Sequence, residues 1–175
     1  MTSLDVTLTY TDNSQITITS ASAALDNSDF SGIGNTTNQD RTQIKTIVMN
    51  NGITSITNDA VFTYLPNLTS VTLSTSLHTI GNVCFQGCSS LPSITIPSSV
   101  TTIGTSVFAD CTTLGSITLP SSVQSVGESC FQGCSNLSSI SLSYNVSFYT
   151  IQSNTFRNCT SLTSITLPYR IHYIE

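Results

Sequence analysis

Tryptophan is absent from this sequence, and charged side chains are scarce. Lysine, arginine, aspartate and glutamate together make up 7% of the 175 residues, with four basic and nine acidic side chains and a net charge of −5. Because nucleic-acid binding depends on many basic contacts to phosphate, four dispersed basic residues argue against a nucleic-acid partner. Attraction to anionic membrane surfaces is disfavoured for the same reason.

Long apolar runs are missing as well. No run reaches the roughly 18 consecutive apolar residues that indicate a membrane span, so we expect no membrane insertion of this chain. The stretch "MTSLDVTLTYTDNSQ" lacks the basic and apolar regions of a secretion signal. Either the protein is not secreted by the usual signal, or that signal has been removed. The chain ends inside a repeat, which fits a fragment of a longer protein or a short natural member with an unusual end.

A phrase that returns about every 23 residues dominates the rest of the chain. Phenylalanine marks it at Phe62, Phe85, Phe108, Phe131 and Phe156. Cysteine stands three residues after the last four of these, and leucine stands six residues after all five. A repeat of this length with a Leu-x-x-Ile-x-Leu core is typical of a leucine-rich repeat solenoid.

Each repeat has a pattern that predicts its local structure. In "SITIP" the alternation buries Ile94 and Ile96 and turns Ser93 and Thr95 outward, which predicts a half-buried strand. Further along, apolar residues at spacings of three and four predict a short helical turn with its N-cap at Thr105. The equivalent cap positions in the other repeats are Asn82, Glu128 and Ser153. One coil cannot bury its own apolar face, so the coils are expected to stack.

The phrase "SITIPSSVTTIG-x-x-x-F-x-x-C-x-x-L" resembles the BspA-like, Treponema-type leucine-rich repeats, which are cell-surface repeats of bacteria and parasitic protists. The resemblance covers residues 44–175, and proline after the strand supports it. It implies adhesion to host cells, matrix proteins or other microbes through the repeat surface. The expected fold is a β-rich α/β solenoid, a right-handed horseshoe of about five 23-residue coils with an N-terminal β-hairpin cap.

The first 43 residues do not fit the repeat, so we divide the chain into an N-terminal capping segment, 1–43, and a solenoid, 44–175, whose last repeat is incomplete. The stretch "VTLTYTDNSQITIT" predicts a hairpin with a polar turn. A cap that covers the first coil is the expected role. A separate binding hairpin is the alternative.

Six cysteines are the most reactive side chains of the repeat. Four share one inward position and two share another, which favours a ladder of small buried apolar side chains. A disulfide between neighbouring coils is an alternative, whereas the spacing does not bring four ligands together for zinc. His78 is expected to point outward, and neither histidine lies in a nucleophile or metal motif. We therefore expect no catalytic residues, no metal and no cofactor.

The outward strand positions are the first candidate binding surface. Stacked coils would align hydroxyl side chains in columns on the concave sheet, uncharged and suited to many weak contacts with a protein or glycan. A merely soluble strand face is the alternative reading. We name these five residues the hydroxyl face: Thr72, Thr95, Thr118, Ser141 and Thr166.

Aromatic residues around an insertion in the fifth repeat form the second candidate. Insertions in solenoids often bind, and aromatic side chains are common contact anchors. Packing of the core and of the chain end is the alternative, and two chains could meet at an uncapped C-terminal end to form a dimer or larger oligomer. We name this set the aromatic patch: Tyr144, Phe148, Tyr149, Tyr169, His172 and Tyr173.

Together these features favour a non-catalytic protein-binding or adhesion module at the cell surface or in the secreted fraction, as the resemblance implies. The missing signal and the abundant thiols favour the alternative of an intracellular or structural scaffold that self-associates through its C-terminal end.

Overall fold

The computed structural model describes residues 4–20, 23–26, 29, 40–57, 61–142, 150–168, 171 and 173–175. Thirteen short strands and one 3₁₀ turn at Arg41–Gln43 are formed in these residues. The strands are β1 (Leu4–Tyr10), β2 (Gln15–Ser20), β3 (Ala24–Leu25), β4 (Ile44–Met49), β5 (Ser55–Ile56), β6 (Ser70–Thr72), β7 (Thr79–Ile80), β8 (Thr102–Ile103), β9 (Ser116–Leu119), β10 (Ser125–Val126), β11 (Ser139–Leu142), β12 (Thr150–Ile151) and β13 (Tyr173–Ile174).

The chain winds into a β-solenoid of about five coils. Strands from successive coils pair in parallel, so that β5, β7, β8 and β10 follow one another in one sheet. On another side of the coils, β9 pairs with β11, with Ile117 beside Ile140 and Leu119 beside Leu142. Residues at the same place in the repeat are therefore neighbours in space, as the stacking prediction requires.

The phenylalanines lie one above the next through the middle of the solenoid. Their ring centroids are 5.6, 5.9, 5.7 and 5.8 Å apart along the column, and successive ring planes differ by 13° or less. Offset stacking of nearly parallel rings is a favourable aromatic arrangement. The rings of Phe85, Phe108 and Phe131 are completely buried. The predicted inward column is confirmed.

The N-terminal segment contains an antiparallel hairpin. Strands β1 and β2 pair from Leu4 opposite Ser20 to Thr9 opposite Gln15. Strand β1 also pairs antiparallel with β4, and β4 pairs parallel with β6. The hairpin therefore occupies the sheet edge beside the first coil, and Val6 and Leu8 are fully buried in the common core.

The helical turns that the sequence predicts do not form, and no α-helix occurs in the described part of the chain. The α/β description is corrected to a β-solenoid. The segments concerned are tight turns that adopt a positive φ at two places in each repeat where both places are described. Val83, Ser106 and Ser129 have φ of +49°, +53° and +54° at the first place. Gly87 and Gly133 have φ of +72° and +74° at the second. A positive φ interrupts a right-handed helix even where apolar spacing suggests one.

These turn segments stack into what we call the turn column, residues 62–64, 83–87, 106–110, 129–133 and 154–158. Alternate N–H groups of one segment donate to carbonyls of the next coil. Val83, Phe85 and Gly87 donate over 2.8–2.9 Å to the carbonyls of Thr105, Val107 and Ala109. The same arrangement repeats between each pair of later coils. The turn column is thus a ladder in which coil is bonded to coil.

The N-cap role predicted at the start of each helical turn is also wrong, because no helix begins there. At Asn82 the side chain does accept a hydrogen bond, but from the backbone N–H of Thr105 in the next coil, at 2.9 Å. Gly104 and Gly127 lie where neighbouring coils approach closely: a Cβ on Gly127 would stand 2.5 Å from the backbone N of Thr105. Only glycine allows this approach without moving the backbone.

Candidate functional site

The hydroxyl face is exposed to solvent, as predicted. Thr72, Thr95, Thr118, Ser141 and Thr166 are all exposed, while the residues between them point into the core or are partly buried. A second exposed position lies two residues earlier on the same side of each strand. Serine occupies it in every repeat: Ser70, Ser93, Ser116, Ser139 and Ser164. The pairing of Ser139 with Ser116 and of Ser141 with Thr118 shows how the two columns run across the coils.

Some hydroxyl groups outside this face form hydrogen bonds between coils. Several serines and threonines donate to backbone carbonyls of the preceding coil. Ser99 donates to Leu77 at 2.6 Å, and Ser122 donates to Val100 at 2.7 Å. None of the hydroxyls in the two exposed columns bonds to another described residue. Within the described residues these hydroxyl groups therefore face solvent without an internal hydrogen bond.

An open groove crosses the middle of the hydroxyl face. It has a volume of about 330 Å³ and lies between the strand segments of two adjacent coils, with Thr95 and Thr118 on its sides and Pro120 at one end. The buried side chains of Ile94, Ile96 and Ile117 form its floor. A shallow, uncharged groove with hydroxyl groups at its sides and an apolar floor suits a broad contact better than an enclosed small molecule.

The alternation in the sequence also predicts a third outward position on each strand, at Ser74, Pro97, Pro120, Ser143 and Pro168, and at the four described positions this prediction is wrong. Ser74 is completely buried, and the backbone N–H of Ser76 donates to its hydroxyl at 3.2 Å. Pro168 is buried as well, and Pro97 and Pro120 are half-buried. The strand has begun to turn at this position, so its side chain no longer faces outward. The exposed hydroxyl lattice is therefore two columns wide.

Most of the aromatic patch lies outside the described residues, namely Tyr144, Phe148, Tyr149, Tyr169 and His172. Tyr173 is described, on β13, and its side chain is 68% exposed. Its neighbour Ile174 is 70% exposed. The C-terminal strand therefore presents two large apolar side chains to solvent. The patch as a whole stays a prediction.

The six cysteines are all free and buried, as expected for small apolar side chains. Four of them also make a sulfur hydrogen bond that the sequence did not indicate. Each thiol donates to the carbonyl of the phenylalanine one coil back. The pairs are Cys88 to Phe62 at 3.2 Å, Cys111 to Phe85 at 3.2 Å, Cys134 to Phe108 at 3.1 Å, and Cys159 to Phe131 at 3.0 Å. Cysteine thus joins adjacent coils without a disulfide.

Burial makes these thiols poor nucleophiles. It raises the pKa of Cys88 and of Cys134 to about 12. Burial also raises the pKa of the remaining four thiols. Because the thiolate is the reactive form, a thiol with so high a pKa does not act as a catalytic nucleophile or as a redox sensor. The cysteines belong to the core and not to the functional surface.

Other reactive side chains lie apart from one another. His78 is exposed, as predicted, and so are Asp110 and Glu128 on different coils. Among the described residues, no three His, Cys, Asp or Glu side chains are close enough to hold a metal ion. The hydroxyl face is the surface that the described residues bring together.

The fold and the exposed strand face define a solenoid repeat protein that presents a broad surface. The family model of the BspA type leucine-rich repeat region matches this chain in six copies, over residues 7–88 and 54–175. The chain belongs to this family. The resemblance predicted from the repeat phrase is confirmed.

Three solved leucine-rich repeat proteins are similar to the chain, and each match covers 74% of it. The T. pallidum protein TpLRR is 20% identical with a TM-score of 0.60, over 78% of its own length. A protein from Bacteroides ovatus is 27% identical with a TM-score of 0.50, and one from Eubacterium ventriosum is 18% identical with a TM-score of 0.55. The chain spans 44% and 48% of these two proteins, less than half of each.

None of the curated proteins compared with the chain matches it. No helix in the described ranges has both the length and the apolar character needed to cross a membrane.

Proposed function

We propose that this chain is a non-catalytic protein-binding module that engages its partner through the hydroxyl face. The carrying observation is that two columns of hydroxyl groups are exposed and make no hydrogen bond to any described residue. Membership of the BspA type family, a class of repeats that generally mediates protein interactions, supports the same role.

Binding by this face depends on number and regularity of contacts. The five coils repeat the same two hydroxyls, and parallel strands are spaced by about 4.8 Å. Because the face carries no charge, it does not steer a partner electrostatically. Affinity therefore arises from many weak contacts along an extended protein or glycan ligand, and it increases with the number of coils engaged.

The proposal is tested by binding to immobilised matrix proteins and glycans. The double substitution Thr95→Arg and Thr118→Arg places two large charged side chains over the groove. We expect it to weaken binding at least about tenfold, as loss of one or two central contacts does in other interfaces. The matched control is Ser98→Arg with Ser121→Arg, which changes two exposed serines that are also one coil apart but lie beyond the strands.

Equal loss of binding in the two double variants would contradict a role of the hydroxyl face. Retention in both, combined with loss in Tyr144→Ala with Tyr149→Ala, would assign binding to the aromatic patch instead. Wild-type binding in all three variants would contradict both surfaces.

We further propose that the protein acts at the cell surface or after secretion. Family membership supports this location, and burial of all six thiols suits an oxidising exterior because it protects them. Antibody labelling of the native protein on intact and on permeabilised cells tests the proposal. Labelling only after permeabilisation would contradict it and favour an intracellular scaffold.

A second candidate function is self-association through the C-terminal end. The observation that favours it is the exposure of Tyr173 and Ile174 on β13, which pairs with β12 alone among the described strands. Exposed edge strands with apolar side chains tend to pair with another chain. Light scattering should show a dimer or larger oligomer that Ile174→Lys disrupts. A monomer at high concentration would contradict this function.

The hairpin of β1 and β2 is proposed to cap the first coil of a right-handed, horseshoe-shaped solenoid. Pairing of β1 with β4 supports the cap, because it leaves the edge of β4 without free backbone groups on that side.

A further inference from the structure

The sheet that carries the hydroxyl face is interrupted in its middle. Strand β6 pairs with β4, and β9 pairs with β11, but the extended segment 93–96 between β6 and β9 belongs to neither pair. No N–H or C=O group of residues 93–96 makes a hydrogen bond to any part of the chain that the structure describes. Burial of Ile94 and Ile96, which are each 6% exposed, holds the segment in place instead.

A proline at the start of this segment explains the interruption on the side of β6. Thr69, Gly115 and Ser138 stand at the same place in other coils, and each donates its N–H to a carbonyl of the coil before it, over 2.9–3.0 Å. Pro92 has no N–H to donate. The phrase "PSITIP" is the one strand phrase of the 23-residue repeats with proline at both ends. Proline within a sheet is confined to edges and irregular places, so the sequence itself marks this coil.

Unpaired backbone groups of two coils meet at the groove of the hydroxyl face. The groove lies between residues 93–96 and β9, and β11 is the one described strand that pairs with β9. Backbone N–H and C=O groups of a strand point sideways towards its neighbours. Those that face each other across the groove are therefore unpaired, and water satisfies backbone groups of this kind in proteins.

The groove is too narrow to admit another strand. The coils on its two sides stay joined at Gly115, whose N–H donates to the carbonyl of Pro92 at 3.0 Å. The ring centroids of Phe108 and Phe131, in the same two coils, are 5.7 Å apart. A strand inserted between two others needs them about 9.6 Å apart, which is twice the usual strand spacing. An extended peptide therefore does not complete the sheet here by pairing with both sides.

A hydroxyl group fits the unpaired backbone groups, because it donates and accepts at the same time. One hydroxyl between the two coils accepts from an N–H on one side and donates to a C=O on the other, as a bridging water does. A ligand that displaces such a water keeps its affinity only if it reproduces these hydrogen bonds. A sugar ring carries several hydroxyl groups on adjacent carbons, whereas a peptide carries at most one in each residue.

The rest of the groove suits a neutral sugar as well. Threonine hydroxyls stand at its sides and isoleucine side chains form its floor, which gives the C–H faces of a ring an apolar contact. Asp110 and Glu128 are the only charged side chains of residues 61–142, and neither lines the groove. Its volume of about 330 Å³ is at the lower end of the range for ligand sites, roughly 300–1,000 Å³. A short, uncharged glycan segment matches this size and polarity.

We propose that the groove between residues 93–96 and β9 binds a neutral glycan, whose hydroxyl groups bridge the unpaired backbone groups of the two coils. The proposal rests on the function proposed for the hydroxyl face and names the partner of that face. It adds a requirement for backbone groups, which the interrupted sheet supplies and the paired strands β9 and β11 do not share between them.

The experiment titrates the ¹⁵N-labelled 175-residue chain with neutral trisaccharides of glucose, galactose, mannose and N-acetylglucosamine. We expect at least one of them to shift amide resonances of residues 93–96 and of β9. At a concentration ten times its Kd, hydrogen exchange of the amides that it covers should slow by about tenfold. The amide resonances of Thr42 and Lys45, which lie far from the groove along the solenoid, should stay unchanged.

Two double variants test the contribution of the side chains. Thr95→Val with Thr118→Val removes both threonine hydroxyls of the groove and should weaken glycan binding about tenfold, as expected for two neutral hydrogen bonds. The matched control, Ser139→Ala with Ser141→Ala, removes two hydroxyls of the same sheet on β11, where the strands are paired, and should leave the affinity unchanged. All four side chains are exposed, so both variants should fold.

Three results would overturn the proposal. Amides of residues 93–96 that all exchange, without ligand, as slowly as the paired amides of β9 and β11 would show that the sheet is closed. Equal weakening of glycan binding in the two double variants would remove the groove as the site. Failure of every trisaccharide to shift these resonances would exclude the glycan.

The last result separates this proposal from the function on which it rests. A capped hexapeptide of alternating valine and threonine is the competing probe. A response to this peptide and to no trisaccharide would assign the groove to a protein and leave the role of the hydroxyl face intact. That role is contradicted by a different result, equal loss of binding in the arginine variants of the face and in their control.

Discussion

Removing one ring from the phenylalanine column should lower the free energy of unfolding more in the middle of the column than at its end. Phe108 is completely buried between Phe85 at 5.9 Å and Phe131 at 5.7 Å. Phe108→Ala leaves a cavity that adjacent coils cannot fill, which costs about 3–5 kcal/mol. Loss of two stacked pairs adds about 0.5–1.5 kcal/mol for each pair. We expect a total loss of about 4–8 kcal/mol in the free energy of unfolding, a large part of the stability of a domain of this size.

Phe156→Ala is the matched control at the end of the column. Its ring is partly buried and has one stacked neighbour, Phe131 at 5.8 Å. The expected loss is about 2–4 kcal/mol, which is roughly half of the cavity cost at a buried position plus one stacked pair. If Phe108→Ala does not fold, Phe108→Leu keeps most of the volume and should cost about 1–2 kcal/mol.

The assay is urea unfolding followed by circular dichroism, with the free energy of unfolding compared between the variants. Nearest-neighbour coupling between coils predicts a larger loss for the central ring than for the terminal ring. A loss for Phe108→Ala that is equal to or smaller than the loss for Phe156→Ala would refute the view that stacking of coil on coil stabilises the fold.

The remaining predictions concern the turns and the thiols. Val83→Asn should stabilise the chain by about 1 kcal/mol, because asparagine tolerates a positive φ that a β-branched residue resists. The same change at the half-buried Val126 of β10 should destabilise the chain. Urea unfolding of both variants checks the sign of each effect. Gly133→Ala should lower the free energy of unfolding by about 1 kcal/mol or more, because φ is +74° and the added Cβ would meet the carboxylate of Asp110. A variant as stable as the wild type in the same unfolding assay would contradict this prediction. All six thiols should resist a disulfide reagent in the folded chain and react once it is unfolded in urea, and rapid reaction in the native state would contradict their burial. The contribution of these thiols to stability should be complete below the thiol pKa of the unfolded chain, about 8.5, and fall as the pH rises towards about 12, because folded Cys88 and Cys134 retain protons that the unfolded chain releases. By pH 10 each of the two should lower the free energy of unfolding by about 1.4–2 kcal/mol, and Cys88→Ala with Cys134→Ala should reduce the slope without abolishing it, because the other four thiols also have raised pKa values.

Spacing alone predicts the column, since residues one repeat apart must occupy the same place in successive coils. The 23-residue interval between Phe85, Phe108 and Phe131 is therefore sufficient to place their rings one above the next. The alternation around Ile117 and Leu119 likewise predicts the buried strand positions, and both side chains are buried in β9. The repeat period carries this information because stacking converts a sequence distance into a spatial contact.

The turns escaped prediction because apolar spacing reports which side chains are buried and not which φ angles connect them. Val107, Phe108 and Cys111 are all buried, as a helical turn would require, yet Ser106 and Asp110 have φ of +53° and +58°. Such angles are uncommon for residues other than glycine, so the composition gave no warning. One signal was available: glycine recurs at the second place in Gly87 and Gly133, where φ is positive.

The position of the hydroxyl face was predictable from the sequence, but the hydrogen bonding of its hydroxyl groups was not. The alternation places Thr95 and Thr118 outward, and both are exposed. Serine and threonine also occur at other places in the repeat. Some of these hydroxyl groups donate to backbone carbonyls of the preceding coil, as those of Ser99 and Ser122 do. Only the hydrogen bonds separate structural hydroxyls from free ones, because composition counts both alike.

Contacts between phenylalanine rings test the stacked solenoid most directly. In a chain with selectively protonated phenylalanine rings, nuclear Overhauser effects should join Phe62 to Phe85, Phe85 to Phe108, and Phe108 to Phe131, the ring pairs whose centroids lie 5.6–5.9 Å apart. No effect should join Phe85 to Phe131, which are two coils apart. Absence of the effects between successive rings, or a direct effect between Phe85 and Phe131, would contradict the column.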